Sequence, residues 1–210
     1  MEEDDLVDLA ASAAAPQPRG PDDDEILVAR VDASSWSTDA DAAMAFSDFI
    51  ARRQPVILTG CLTSWPALHS WTHEYLRKTL GSQMIHCALT PNGLGDAVTT
   101  AADIGGDCFI KPHEALMPFD QFLDAIESPL REAGGTMRRA VHYASHQNDC
   151  LSSEYEPLWA DVELSLPWAD RAFGRPPAAT NFWMGEDAAR TTVHADLYDN
   201  VYCVVSLGND

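Results

Sequence analysis

Apolar positions first come into helical register at Phe46, Phe49 and Ile50. Ser37-Thr38 offers an N-cap ahead of them, acids follow in the first turn, Arg52 and Arg53 fall in the last turn, and Pro55 stops the run. The pattern predicts an amphipathic helix over residues 39–53. Residues 55–60 are a short apolar strand ending at Gly60. Trp65-Pro66-Ala67-Leu68 with Trp71 marks an ordered loop, and 72–80 reads as a second helix closed by Gly81. Residues 84–89 form a strand, Pro91-Asn92-Gly93 a turn, and the strand signal after it is weak. Residues 109–112 are expected to be extended. Pro118 opens a helix through Phe119, Phe122, Leu123 and Ile126 that stops near Pro129. Residues 138–145 read as a strand with Val141 and Tyr143 on one face, 158–164 as a short helix or loop, and Pro167-Trp168 as the start of a helical turn. Three strands close the chain, at 180–184, 191–196 and 201–206. Helices early and strands late indicate an α+β protein whose sheet is only beginning where the chain stops. No internal repeat is present.

Before residue 38 the pattern fades. Acids far outnumber Arg19 and Arg30 there, an Ala-rich run lies between prolines, and Asp22-Asp23-Asp24-Glu25 adds a charge cluster. The chain therefore divides into a mostly disordered acidic leader, 1–37, and one domain, 38–210. The leader leaves room for a short strand at 26–31. A solvated leader is the plain reading of this segment and an interaction tail the alternative.

The formal net charge of −20 argues against nucleic-acid and anionic-membrane partners, which need clustered Lys and Arg. It is compatible with a basic protein or peptide substrate, although solubility is the better explanation. The N-terminal residues MEEDDLVDLA are acidic where a secretory signal is basic and then apolar, and no apolar run reaches membrane-spanning length. Cys61, Cys87, Cys108, Cys150 and Cys203 are odd in number and widely spaced, with no C-x-x-C. That argues against a zinc site or a disulfide framework and favours a reducing compartment, cytoplasm or nucleus.

The candidate chemistry lies in residues 178–210. His194 and Asp196 are spaced so that a strand would present both on one face. An imidazole and a carboxylate side by side are two-thirds of the facial triad of non-haem Fe(II) oxygenases. On the motif alone, a half-buried histidine bonded to its neighbour is a better reading than a metal ligand. Thr191 and Asn200 supply the context, polar groups of the kind a bound organic acid would need, and Tyr202 and Cys203 continue an apolar strand.

The segment NFWMGEDAARTTVHADLYDNVYCVVS, residues 181–206, resembles the central motif of the JmjC (cupin-like) oxygenases, and within them the small JmjC-only hydroxylases. The resemblance extends through 55–60, Trp65-Pro66-Ala67-Leu68, Thr90-Pro91-Asn92-Gly93 and Pro167-Trp168, covering 54–206. It implies a double-stranded β-helix (cupin, jelly-roll) preceded by a helix-rich part. It also implies an Fe(II) centre with 2-oxoglutarate as cosubstrate, which together hydroxylate a C–H bond, and a protein substrate. By that resemblance His194 and Asp196 are the first two iron ligands. Tyr143, Thr191 and Asn200 contact or lie close to 2-oxoglutarate, and Tyr198 faces the substrate.

Two departures qualify this. The resemblance places a lysine fifteen residues after the first histidine, where this chain has Asn209, and an amide cannot supply the charge-assisted bond of an ammonium. The third ligand would lie beyond Asp210, and none of His86, His113, His142 and His146 matches it. The expectation is a C-terminally truncated, incomplete barrel: poorly soluble or partly molten, and without hydroxylase activity. The leading reading is a lysyl-type protein hydroxylase. A non-catalytic, partner-binding cupin-like module or fragment is the alternative, and a barrel completed by another chain is a third. The tryptophans at 65, 71, 159, 168 and 183 are expected as core anchors, Met44, Met84, Met117 and Met184 as gap-fillers, and His142 and His146 as surface residues in preference to a second metal site, since i and i+4 on a strand is a long reach.

Overall fold

The computed structural model describes residues 28–101, 105–129 and 139–206. Most of the expected leader, together with Arg138 and Asn209, lies outside the described residues. β1 (Ala29–Asp32) runs parallel to β2 (Val56–Thr59). Between them α1 (Asp39–Arg52) starts where Thr38 accepts a hydrogen bond from the Asp41 amide and ends at Arg53 in the left-handed region. α2 (Ala67–Ser70) and α3 (His73–Leu80) follow, the latter capped by Thr72 on the Tyr75 amide.

The centre of the molecule is an antiparallel sheet. β3 (Met84–Thr90) lies between β7 (His113–Pro118) and β8 (Val141–Ala144), and β9 (Met184–Gly185) pairs on the far side of β8. β3 alternates cleanly: Ile85, Cys87 and Leu89 are buried and face Phe119, Phe122 and Leu123 of α4 (Phe119–Glu127). Each such apolar side chain contributes about 1.5–3 kcal/mol on burial. Tyr155 and Leu158, after α5 (Cys150–Ser153), and Phe182 complete this core. A second apolar cluster joins α1 to α6 (Pro167–Phe173), where the Phe46 ring meets Trp168 and Phe173 edge-on at 5.2 and 5.5 Å.

The remaining strands are peripheral. β5 (Ala97–Ala101) and β6 (Gly106–Ile110) form a separate hairpin. β4 (Leu94–Gly95) pairs in parallel with β10 (Arg190–Thr191). Helices and sheets are thus mixed, and no barrel closes among the described residues.

Several expectations change here. The strand at 180–184 shrinks to β9, that at 191–196 to β10, and 201–206 forms none. These segments have the strand composition but find no partner edge among the described residues, and a strand persists only where its backbone groups are paired. Val193 and Leu197 are in consequence fully exposed. Met44 and Met84 are exposed rather than filling gaps, and Trp159 and Trp183 are only partly covered. His142 is buried, at 4% exposure, instead of lying at the surface.

The sheet core holds ionisable groups in their neutral forms. Burial pushes the Cys87 thiol up to about 12 and that of Cys150 up to about 11, and it raises the Tyr155 phenol as well. The folded values exceed the unfolded ones, so this stability is complete below the ordinary thiol value of 9.0 and is lost as pH rises through the folded values. The urea midpoint is expected to hold from pH 7 to 8.5. Between pH 9 and 11 the stability should then fall by about 1.4 kcal/mol per pH unit for each thiol still protonated in the fold. Cys87→Ala should flatten that slope, whereas a midpoint unchanged to pH 11 contradicts the account.

Candidate active site

Tyr143 sits on β8 with its ring over β9. Gly185 opposes it in register, and a Cβ at Gly185 would lie 2.7 Å from Tyr143 Cδ2, so the ring occupies the space a side chain would need. The phenol interacts with the hydroxyls of Thr191 and Tyr202. Its pKa is raised, first by burial and then by Tyr202, while Thr191 acts in the opposite direction. Tyr143 therefore stays protonated through neutral pH and can donate to an anion.

Thr191 reaches Tyr143 because β10 is pinned on β4. The Arg190 amide donates to the Gly93 carbonyl at 2.7 Å, and Thr192 Oγ1 donates to the Asp96 carbonyl at 2.8 Å. Gly93 itself has φ +86° and receives no side chain for good reason: a Cβ there would stand 1.8 Å from the Ala188 carbonyl oxygen. The Thr90 hydroxyl accepts from the Gly93 amide and Asn92 Oδ1 from the Leu94 amide, which fixes the turn.

His194 and Asp196 follow in irregular backbone, about half-exposed at 55% and 51%. A carbonyl only accepts, so the 2.8 Å contact between His194 Nδ1 and the Thr192 carbonyl places the proton on Nδ1. In the neutral ring that leaves Nε2 with a free lone pair, the tautomer a metal ligand needs. Nε2 faces Asp196 Oδ1 at 3.5 Å, while Asp196 Oδ2 accepts from the Asn200 amide at 2.7 Å. Adjacent donors on an octahedral ion with bonds of about 2.1 Å stand about 3 Å apart. The pair fits two neighbouring positions on such an ion with a small closure. Among the described residues no third His, Cys, Asp or Glu joins them. An ion here would be held by His194 and Asp196, with Asn200 orienting the carboxylate from behind.

The structure thus brings Tyr143 to Thr191, and Asn200 to Asp196 beside His194. Tyr198 stands exposed to solvent nearby. One strut behind the site was not legible in advance. Glu186, directly after β9, holds Arg139 through two contacts of 2.8 and 3.0 Å and accepts the His142 amide at 2.9 Å. Arg139 also donates to the carbonyls of Ala140 and Ser128. Both side chains are nearly buried, at 12% and 11% exposure. The only sequence signal was an arginine opening a strand and a glutamate closing another, and neither names its partner.

Comparison with known proteins adds a further observation. A cupin-like domain profile matches residues 42–206. The chain is 40% identical over 161 residues to the human bifunctional peptidase and (3S)-lysyl hydroxylase JMJD7, covering 77% of this chain and 47% of that protein. It is 34% identical over 160 residues to lysine-specific demethylase JMJ32 of Arabidopsis thaliana, covering 76% and 44%. It is 32% identical over 164 residues to JmjC domain-containing protein E of Dictyostelium discoideum, covering 76% and 46%. The chain spans about half the length of the curated relatives it matches.

Proposed function

The chain belongs to the cupin-like domain family, with JmjC proteins among its relatives, and on that premise we propose that it forms the metal- and cosubstrate-binding part of an Fe(II)- and 2-oxoglutarate-dependent protein hydroxylase of the lysyl type. In this reading β3, β7, β8, β9 and β10 are early strands of a double-stranded β-helix. His194 Nε2 and Asp196 Oδ1 hold the iron, and Asn200 keeps Asp196 in place. The Tyr143 and Thr191 hydroxyls bind the carboxylate of 2-oxoglutarate, and Tyr198 stands where substrate arrives. When bound, the iron and 2-oxoglutarate couple oxidative decarboxylation to hydroxylation of a C–H bond. The net charge of −20 favours approach of a basic lysyl substrate. Five separate free thiols suit a cytoplasmic or nuclear setting.

What supports the reading most is that His194 and Asp196 turn their donors together and that Thr191, three residues before His194, bonds the half-buried Tyr143 phenol. With two protein donors among the described residues, the 210-residue chain is expected to bind 2-oxoglutarate in the presence of Mn(II) but to turn it over with Fe(II) at background. Paramagnetic broadening of the 2-oxoglutarate proton signals measures the binding. His194→Ala and Asp196→Ala should abolish it, and Tyr143→Phe should weaken it roughly 10- to 100-fold, the worth of one bond to a charged group. Metal-dependent binding that survives His194→Ala overturns the assignment, and robust turnover overturns the expected inactivity. If the folded chain binds no 2-oxoglutarate at all, the second reading takes over: a non-catalytic partner-binding module. The exposed Val193, Leu197, Tyr198 and Tyr202 favour that reading.

A further inference from the structure

A second group of donors lies on the same face of the sheet as Tyr143. The register places Ala88 opposite Tyr143, and His86, two residues earlier on β3, shares that face. His146 follows β8, and Glu154 follows α5. Glu154 is buried, at 8% exposure. Its Oε1 contacts His86 Nδ1 at 2.8 Å and His146 Nδ1 at 2.5 Å, and its Oε2 accepts the His86 amide at 2.8 Å. The two rings lie against each other, with centroids 4.3 Å apart and planes 33° from parallel.

We propose that His86, His146 and Glu154 form a metal site, separate from His194 and Asp196, that takes a borderline divalent cation of the Zn(II) kind. Two imidazoles aim the same ring nitrogen at one oxygen of a buried carboxylate, and among the described residues no Lys or Arg pairs with that carboxylate. A buried carboxylate needs a counter-charge. A divalent ion replaces both Nδ1 protons at once and is attracted to all three donors. Two nitrogens and one carboxylate oxygen form a donor set suited to Zn(II), with Cu(II) and Ni(II) as competitors.

The geometry needs little adjustment. A tetrahedral ion with bonds of about 2.0–2.2 Å holds its donors roughly 3.3–3.5 Å apart, so each contact opens by under about 1 Å. The His86 and His146 side chains are 42% and 29% exposed, which gives them room to move and leaves the fourth position to water. Glu154 needs to move least, because the His86 amide anchors its second oxygen. The ion would clamp β3, the segment after β8 and the end of α5 at one point.

The test uses the full 210-residue chain carrying His194→Ala and Asp196→Ala, so that the proposed iron ligands are absent and a failure there is kept apart. Zn(II) is added, excess is removed by gel filtration, and retained metal is measured. One equivalent is expected, with long-range proton–nitrogen spectra showing the Nδ1 signals of His86 and His146 moving on metal addition while other imidazoles stay. Adding His146→Gln should weaken Zn(II) at least 100-fold against a chromogenic chelator and remove the rise in melting temperature that Zn(II) gives. Retention of no equivalent, or Nδ1 signals of His86 and His146 that stay fixed, overturns the proposal. The imidazole spectra need no cluster variant, so a His146→Gln chain that fails to fold does not decide the outcome.

Discussion

Glu186→Ala is expected to cost about 3–5 kcal/mol, the loss typical of breaking a buried ion pair from one side. The melting temperature should fall by roughly 2–4 °C for each of those kcal/mol in a domain of this size. The reason is what is left behind. Arg139 keeps its bonds to the Ala140 and Ser128 carbonyls but loses both contacts of 2.8 and 3.0 Å to its counter-charge, and its Nε already has no partner. The His142 amide loses its acceptor at the same time. The damage therefore reaches β8, the strand that carries Tyr143. Replacing Arg139 and Glu186 together by methionine should recover much of the loss, because no uncompensated charge stays buried. Thermal and urea denaturation of the three variants settles the matter. A Glu186→Ala loss below 1 kcal/mol, or a double variant no better than the single, rejects the pair as the cause.

Gly93→Ala is the second large effect, and it acts on the site from the opposite side. An alanine at φ +86° bears left-handed strain of about 1–2 kcal/mol. Its Cβ would also stand 1.8 Å from the Ala188 carbonyl oxygen, which is backbone and cannot rotate away. The turn after β9 must retreat, breaking the 2.7 Å bond from the Arg190 amide to the Gly93 carbonyl and drawing Thr191 off Tyr143. Exchange of the Arg190 amide should speed up about tenfold or more, and the 2-oxoglutarate binding measured with Mn(II) should weaken with it. Unchanged protection of that amide would falsify the claim that β10 depends on the glycine.

How much of this was legible in advance follows the range of the interactions. The helix expected at 39–53 is Asp39–Arg52, and that expected at 72–80 is His73–Leu80, because Thr38, Thr72, Pro55 and Gly81 write their ends locally. The strand expected at 84–89 runs to Thr90, since the alternation of Ile85, Cys87 and Leu89 needs only one buried face. The β5–β6 hairpin was foreseen only as a weak strand signal after the 91–93 turn and an extended stretch at 109–112, because Val98 and Phe109 are exposed and leave no alternation to read, and β7 was not foreseen. At the site, His194 and Asp196 were singled out by their spacing, and Thr191 and Tyr143 by the family resemblance. The Arg139–Glu186 strut and the His86–His146–Glu154 group were not, since each depends on which strands pair. Glu186 lies 47 residues from Arg139 and Glu154 lies 68 from His86. His142 and His146 were assigned to the surface for the same reason: strand spacing shows a face but not what covers it.

The β4–β10 bridge has a consequence for the order in which the chain assembles. Thr192 meets Asp96 across 96 residues, whereas Thr100 meets Asp107 across 7. Closing the longer loop costs more chain entropy, and two backbone pairs are a small return for it. The contacts of β3 with β7 and α4, shorter in range and rich in apolar burial, suit an early nucleus. The corner holding Thr191, His194 and Asp196 should be the last part to form in refolding and the first to come loose in unfolding, while the sheet core behind it remains intact.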